Sequence, residues 1–293
     1  MEEFERHGIG VVQGRDAGAR ALRSPGLTSD FGGGSPSVLL RDGDDHARVR
    51  GVLREIIAEL EPFPDSLRAD VEAVVAGLGP SFDLVRGFAR PVAGLVTSAV
   101  LGVALDDVFL DHLEATTANL DVFGGTDRAG QASAFRLSVQ LSRAPAGPGG
   151  LTALRAAHAA GRLDDDELAL NPVVLAHAAY ENSLNFLACA GLELATSGPR
   201  SVRELVTAIC PARYVLRTGP DGPVAISLAD GLPFGLGPHA CPGSGVALAE
   251  GEIALGALAK LLAGGCEVTE VEWKTHPVFH GLAKAVVTVS GNR

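Results

Sequence analysis

The chain is poor in aromatic residues. Phe, Trp and Tyr together make up 5% of its 293 residues, with one Trp and two Tyr. β-Sandwiches and barrels lean on aromatic and β-branched side chains, so this shortage, beside abundant Ala and Leu, favours helices. Cysteine is also scarce: Cys189, Cys210, Cys241 and Cys266 are scattered without a CxxC pair. That spacing argues against a structural zinc site and a secreted disulfide framework. Positive charge is short, with 24 Lys and Arg against 35 Asp and Glu and a net charge of −11. Binding nucleic acid needs a basic face that neutralises phosphate, so no nucleic-acid partner is expected. No uncharged apolar run reaches membrane-spanning length. The best stretch, 87–105, carries Arg90 and Pro91, so no membrane association is expected. The start, Met1-Glu2-Glu3-Phe4-Glu5-Arg6, lacks the apolar core of a signal peptide, and a cytoplasmic chain with reduced thiols is expected. Its length suffices for a sizeable core, and without a linker or repeat the expectation is one domain over 1–293.

What is present is mostly helical pattern. Residues 8–12 read as a short strand, 17–23 as a short helix and 29–37 as a loop. Asp44 and Asp45 are candidate caps for a helix in which Val49, Val52, Leu53, Ile56, Ile57 and Leu60 recur at helical spacing. Pro62 and Pro64 should end it. Further helices are expected over 66–78, over 83–105 with Pro91 as a kink or start, and over 106–120. Residues 123–150 are Gly/Pro-rich and read as a loop, with one helix around 134–141. Helices at 151–162 and 164–170 follow. Asn171-Pro172 reads as a helix start, opening an apolar helix that runs to Thr196 and stops at Gly198-Pro199. Beyond it come a helix at 202–210, strands at 213–218 and 224–227, a helix at 244–262 and short strands within 268–289.

The informative stretch is Phe234-Gly235-Leu236-Gly237-Pro238-His239-Ala240-Cys241-Pro242-Gly243, which leads directly into the Ser244 helix. Glycines admit unusual dihedrals and let a flat ligand approach the backbone. The helix start offers free N–H groups and a positive dipole end, both of which favour a thiolate. A thiolate beside a flat surface suits axial ligation of haem iron. A tight turn around a buried cysteine has the same composition.

At every signature position this segment resembles the haem-binding loop of the cytochrome P-450 superfamily. The resemblance implies a mainly α, cytochrome P-450-like fold with small peripheral β-strands, and haem b (iron protoporphyrin IX) as cofactor. It implies Cys241 as the iron ligand, with Gly243 closing the loop, Phe234 packed against the thiolate side and His239 near a propionate. Asp42 to Arg50 resembles the family's DxxxHxxxR-type segment, which implies propionate contacts from His46 and Arg50. Their spacing places them on one helix face. Pro211 to Arg217 resembles the strand ending in another propionate-binding arginine, Arg217. Segments 8–29, 82–103 and 270–289 resemble family segments too. Ala178-Ala179-Tyr180-Glu181-Asn182-Ser183 resembles the distal A-G-x-E/D-T-T pattern, with Asn182 in place of the proton-delivering threonine. His177 lies four residues before Glu181. The two are either a distal acid/base pair or an internally satisfied core pair.

The sequence also departs from the family. Glu204-Leu205-Val206-Thr207 stands where ExxR is expected, with Thr207 replacing the arginine. Only 218–233 separate Arg217 from Phe234, where the family has a much longer region, so the fold is expected to be truncated. The resemblance implies an atypical haem-thiolate enzyme acting on a small-molecule substrate in biosynthetic tailoring. Oxidation with O₂ or peroxide, or a redox-neutral rearrangement, dehydration or cyclisation, all fit. A ferredoxin-type electron donor is allowed for, with Arg48, Arg54 and Lys260 as a small basic patch. A homo-oligomer or protein partner covering the shortened proximal side is a further expectation. The alternative is a non-catalytic P-450-like helper that activates a partner enzyme.

Overall fold

The computed structural model describes residues 2–31, 33–61, 63–120, 123 and 127–290. In chain order the elements are α1 (Glu2–Arg6), β1 (Gly10–Val12), α2 (Arg15–Ala21), α3 (Gly43–Ala58), α4 (Asp65–Ala76), β2 (Ser81–Asp83), α5 (Arg90–Leu101), α6 (Asp107–Thr116), α7 (Arg128–Arg143), α8 (Gly150–Ala159), α9 (Asp165–Ser197), α10 (Val202–Ile209), β3 (Tyr214–Gly219), β4 (Gly222–Ser227), α11 (Ser244–Leu262), β5 (Cys266–Trp273) and β6 (Leu282–Val289). Two three-stranded sheets flank the helices. One has the order β1-β4-β3, with β1 parallel to β4 and β3–β4 a hairpin; the other is antiparallel, β2-β6-β5. The mainly α fold with small strands matches the sequence expectation.

The core is organised by α9. At about 1.5 Å per residue its 33 residues run roughly 50 Å. Val173, Ala176, Tyr180, Leu184, Leu187 and Ala190 line its core face, and over 183–191 every residue is buried, so there its whole circumference is covered. The separate acidic helix expected at 164–170 does not exist. Asp164 accepts from the Glu167 amide at 2.7 Å and Glu167 Oε2 accepts from the Asp164 amide at 2.9 Å, a capping box that starts the helix seven residues upstream of Pro172. Pro172 stays inside the helix. Asn171 is no cap: its amide donates to the Glu167 and Pro36 carbonyls and accepts from the Val38 amide. It pins the 36–38 segment to the core helix instead.

Other boundaries moved for similar reasons. Asp42, not Asp44 or Asp45, precedes α3, and its side chain makes no cap bond because it is engaged elsewhere. Pro64 stands before α4; Pro62 lies outside the described residues. A wide π-type turn, Leu84–Ala89, passes into α5, with Pro91 in its first turn. The loop expected at 123–150, part of which lies outside the described residues, holds the 16-residue α7. Asp127 caps its start, and Arg155 donates to the Leu141, Ser142 and Ala144 carbonyls at its end. Residues 84–101 are long and apolar enough to cross a membrane, but 61% of that window is buried inside the fold.

The N-terminus of α9 is tied to α3 by charge. Glu167, whose side chain has no exposed surface, accepts from Arg48 Nη1 and Nη2 at 2.8 and 2.7 Å and also pairs with Arg41. The Arg48 hydrogen bonds outweigh burial and hold the Glu167 carboxyl down at about 2, from an ordinary 4.5. The unfolded chain therefore binds the proton first, so this stabilisation is complete above pH 4.5 and is lost as pH falls towards 2. In urea unfolding across pH 2–5, Glu167→Gln should lower stability at pH 5 and flatten that loss. A wild-type slope retained by the variant would show that the pair contributes nothing.

Candidate functional site

The segment 234–243 folds as a tight loop because two of its glycines adopt positive φ, Gly235 at 64° and Gly237 at 74°. Gly237 also approaches α2 so closely that a Cβ there would lie 2.7 Å from the Leu22 carbonyl oxygen. The Cys241 amide donates back to the Phe234 carbonyl at 2.7 Å, which closes the loop and fixes Phe234 beside the main core. The Cys241 side chain is exposed. Burial nevertheless raises its thiol pKa, against the lowering effects of the Gly243 amide and Arg50. Burial thus outweighs the helix-start environment that was expected to favour a thiolate. Pro242 has no N–H, so Gly243 is the backbone donor towards the sulfur.

Positive charge collects around this loop. His46, on α3, stacks on His239 with ring centroids 3.9 Å apart. Arg50, one turn further along the same face, donates to the Ala240 carbonyl. Arg217, on β3, is buried and donates to the Leu216 carbonyl at 2.7 Å. Among the described residues neither arginine has a carboxylate within ion-pair distance. Asp42 is the acid of the cluster: it accepts from Thr28 Oγ1 at 2.5 Å, from the Ser29 amide at 2.6 Å and from His239 Nε2 at 3.0 Å. Burial opposes ionisation of Asp42, but these hydrogen bonds prevail and hold it at about 2. Burial, then His239 and Arg50, push His46 down to about 4. Burial and Arg217 also lower His239, despite the Asp42 hydrogen bond. The cluster resists further positive charge and is built to accept negative charge.

Midway along α9 the burial breaks. Ala178 is exposed, and Val174 and Asn182, one turn to either side, are half-buried, so an open stripe runs along the helix. Asn182 donates to the Ala178 carbonyl at 3.3 Å. Glu181 points away from this stripe into the protein, 1% exposed, where Oε1 accepts from Asn185 at 2.8 Å and from Lys274 Nζ at 3.2 Å. Burial works to raise its pKa, but Lys274, His177 and Asn185 outweigh it and keep the carboxylate ionised. Its Oε2 is buried without a partner. His177 Nε2 meets Thr117 Oγ1 at 3.1 Å, and burial lowers its pKa against the pull of Glu181.

The loop residues Phe234, His239, Cys241 and Gly243 thus sit with His46, Arg50 and Arg217, while His177, Glu181 and Asn182 occupy α9. His177 and Glu181 interact through charge; their hydrogen bonds go to Thr117 and to Lys274 and Asn185. Asp42 was named from sequence only as the first position of the DxxxHxxxR-type segment, with no role; Thr28, Lys274, Asn185 and Thr117 were not singled out. Asn185, one turn after Glu181, had the spacing to be found; Lys274 and Thr28 carried no signal. Glu204 forms a capping box with Ser201, and Thr207 back-bonds to the Arg203 carbonyl, both exposed. The Cys241 loop is braced by residues 22–50 instead. Of the expected basic patch, Arg48 is consumed by Glu167, leaving Arg54 and Lys260 exposed.

No protein-family model matches the chain, and no curated protein matches it in sequence. Solved structures do. The ligand-free CYP164A2 of Mycobacterium smegmatis aligns at TM-score 0.81 and 23% identity, covering 98% of this chain and 94% of that one. P450BioI, solved with a hexadecenoic-acid-loaded acyl carrier protein, aligns at 0.78 and 19%, covering 96% and 92%. The mycinamicin VIII C21 methyl hydroxylase of Micromonospora griseorubida aligns at 0.79 and 19%, covering 94% and 89%. With α9 as its central helix and a glycine-rich cysteine loop before α11, the chain has the cytochrome P450 fold.

Proposed function

We propose that the chain is a haem-thiolate enzyme acting on a small molecule in biosynthetic tailoring, as its neighbour the mycinamicin hydroxylase does. The carrying observation is a pair of arginines, Arg50 and Arg217, without an ion-pair carboxylate among the described residues, set around the loop that presents the exposed Cys241. Burying a guanidinium without an ion pair is costly, and Arg217 is 8% exposed. A ligand bearing two carboxylates, as haem b does, suits that charge. The residues present therefore suit the group.

In this reading Cys241 ligates the iron, and Phe234 and Gly243 support the sulfur. Arg50, Arg217, His46 and His239 take the propionates, with Asp42 fixing the His239 ring. The bound haem supplies the redox or Lewis-acid chemistry. The chain's own part is positioning and proton handling. Ala178 and Asn182 line the substrate side. Glu181, turned away from that side and held ionised by Lys274, acts on protons through the negative charge it places beside His177. His177 is kept neutral by burial and anchored by Thr117, so it can exchange one. Asn182 offers an amide where a hydroxyl would pass protons, which favours peroxide-driven or redox-neutral chemistry over O₂ activation by electrons from a ferredoxin-type donor. A cytoplasmic location suits this reading.

Reconstitution with haem tests it. The reduced carbonyl complex should show the red-shifted Soret band of a thiolate-ligated haem, and Cys241→Ser should lose it. Arg50→Ala with Arg217→Ala should weaken haem binding by at least about tenfold, the scale of removing charge-assisted hydrogen bonds. A colourless chain that takes up no haem would favour the helper function.

The depressed His46 gives a second test, on the apoprotein. His46 titrates near 4 when folded and near 6.5 when unfolded. The unfolded chain binds more protons between those values, so stability should rise with pH from 4 to 6.5. His46→Phe should flatten that rise in urea titrations; an unchanged slope would show that His46 does not titrate as described.

A further inference from the structure

One stretch of the chain runs against its net charge of −11. Residues 128–163 contain five arginines and no Asp or Glu. Two of the five have structural duties: Arg155 caps α7, and Arg162 pairs with Glu55 at 2.8 Å. The other three, Arg128, Arg136 and Arg143, are all exposed on α7. Among the described residues none of them has an ion-pair partner.

Their placement is regular. At about 100° per residue, Arg128, Phe135, Arg136, Val139 and Arg143 fall within an arc of about 100°. That arc lies opposite the buried residues Gly130, Ser133, Leu137 and Leu141. Phe135 is 71% exposed, the most exposed large hydrophobic among the described residues. Beside it lies a groove of about 550 Å³ that Phe135, Val139, Arg136 and Arg143 share with Val103 and Phe109. Arg128 occupies the first turn of α7, where the helix dipole disfavours a cation. Arg143 lies in the last turn, where the dipole favours it, so helix stability accounts for one arginine of the stripe and not for the other two.

We infer that the outward face of α7 is a docking surface for an acidic protein partner, which lays an amphipathic helix along the stripe. Successive arginines are about two helical turns apart, a spacing that carboxylates on a facing helix can match. Phe135 and the groove take its apolar side chains. A membrane surface fits less well, because interfacial helices present a broad apolar face and this one exposes Phe135 and Val139 between cations. Nucleic acid is disfavoured by the negative charge of the whole chain. The inference is independent of haem.

The test uses the full chain and a fluorescent amphipathic peptide of Glu and Leu as probe, read by anisotropy. Binding should saturate at low salt and weaken as ionic strength rises. Arg136→Gln with Arg143→Gln should raise Kd by about tenfold, and Phe135→Ser by at least as much, with the circular dichroism spectrum and melting temperature unchanged. Arg54→Gln with Lys260→Gln, exposed cations elsewhere, should leave Kd unaltered. A Lys-for-Glu peptide should not bind. The inference falls if the Glu peptide fails to bind, if both double variants bind equally, or if only phosphatidylglycerol vesicles bind.

Discussion

The Asp42 carboxylate accepts hydrogen bonds from the adjacent Thr28 and Ser29, 14 and 13 residues before it, and from His239, 197 residues after it. Through them the cysteine loop is fastened to the segment ahead of α3. His46 and Arg50 then reach the same loop from one face of α3, one by ring stacking and the other by holding the Ala240 carbonyl. The Cys241 loop is thus held in place by the N-terminal third of the chain. α10 contributes no brace, because its Glu204 is turned back to cap its own helix. A charge-assisted clasp of this kind is worth more than the sum of exposed pairs, since its donors are held rigidly around one acceptor.

Buried polar groups are handled in three different ways across the molecule. Glu167 and Glu181 stay ionised because cations are bonded to them. Glu250, on α11, has no cation; burial, opposed by Ser183, lifts its pKa to about 8, so it escapes the cost of a buried charge by staying protonated at neutral pH. Arg217 has neither remedy, because a guanidinium cannot shed its proton. That contrast sets Arg217 apart from the buried carboxylates: it keeps its charge with no ion-pair partner among the described residues, and Asp42 acts on it only from a distance.

Much of this was legible in the sequence. Helical spacing located α3, α4, α8 and α11 within a few residues, since each buries one stripe. The cysteine loop was legible because glycine is strongly favoured where φ turns positive, as it does at Gly235 and Gly237. Misreadings arose where two signals competed. Asn171-Pro172 has the local chemistry of a helix start, but the Asp164–Glu167 box satisfies the terminal amides further upstream. The acid-poor run containing α7 looked like a loop because its buried positions include Gly130 and Ser133, which carry little apolar signal.

Composition and short-range chemistry by themselves determined that the chain is helical and that one cysteine lies on a glycine-rich turn before a helix. They also placed His46 and Arg50 on a single face, because those properties depend on neighbours within a turn or two. Tertiary structure alone decided that Asp42 and Thr28 hold His239, that Lys274 neutralises Glu181, and that Arg217 is buried without a carboxylate. Those contacts join residues separated by 14 to 197 positions in the chain. At such distances only the folded path brings the charges together, and no local pattern encodes them.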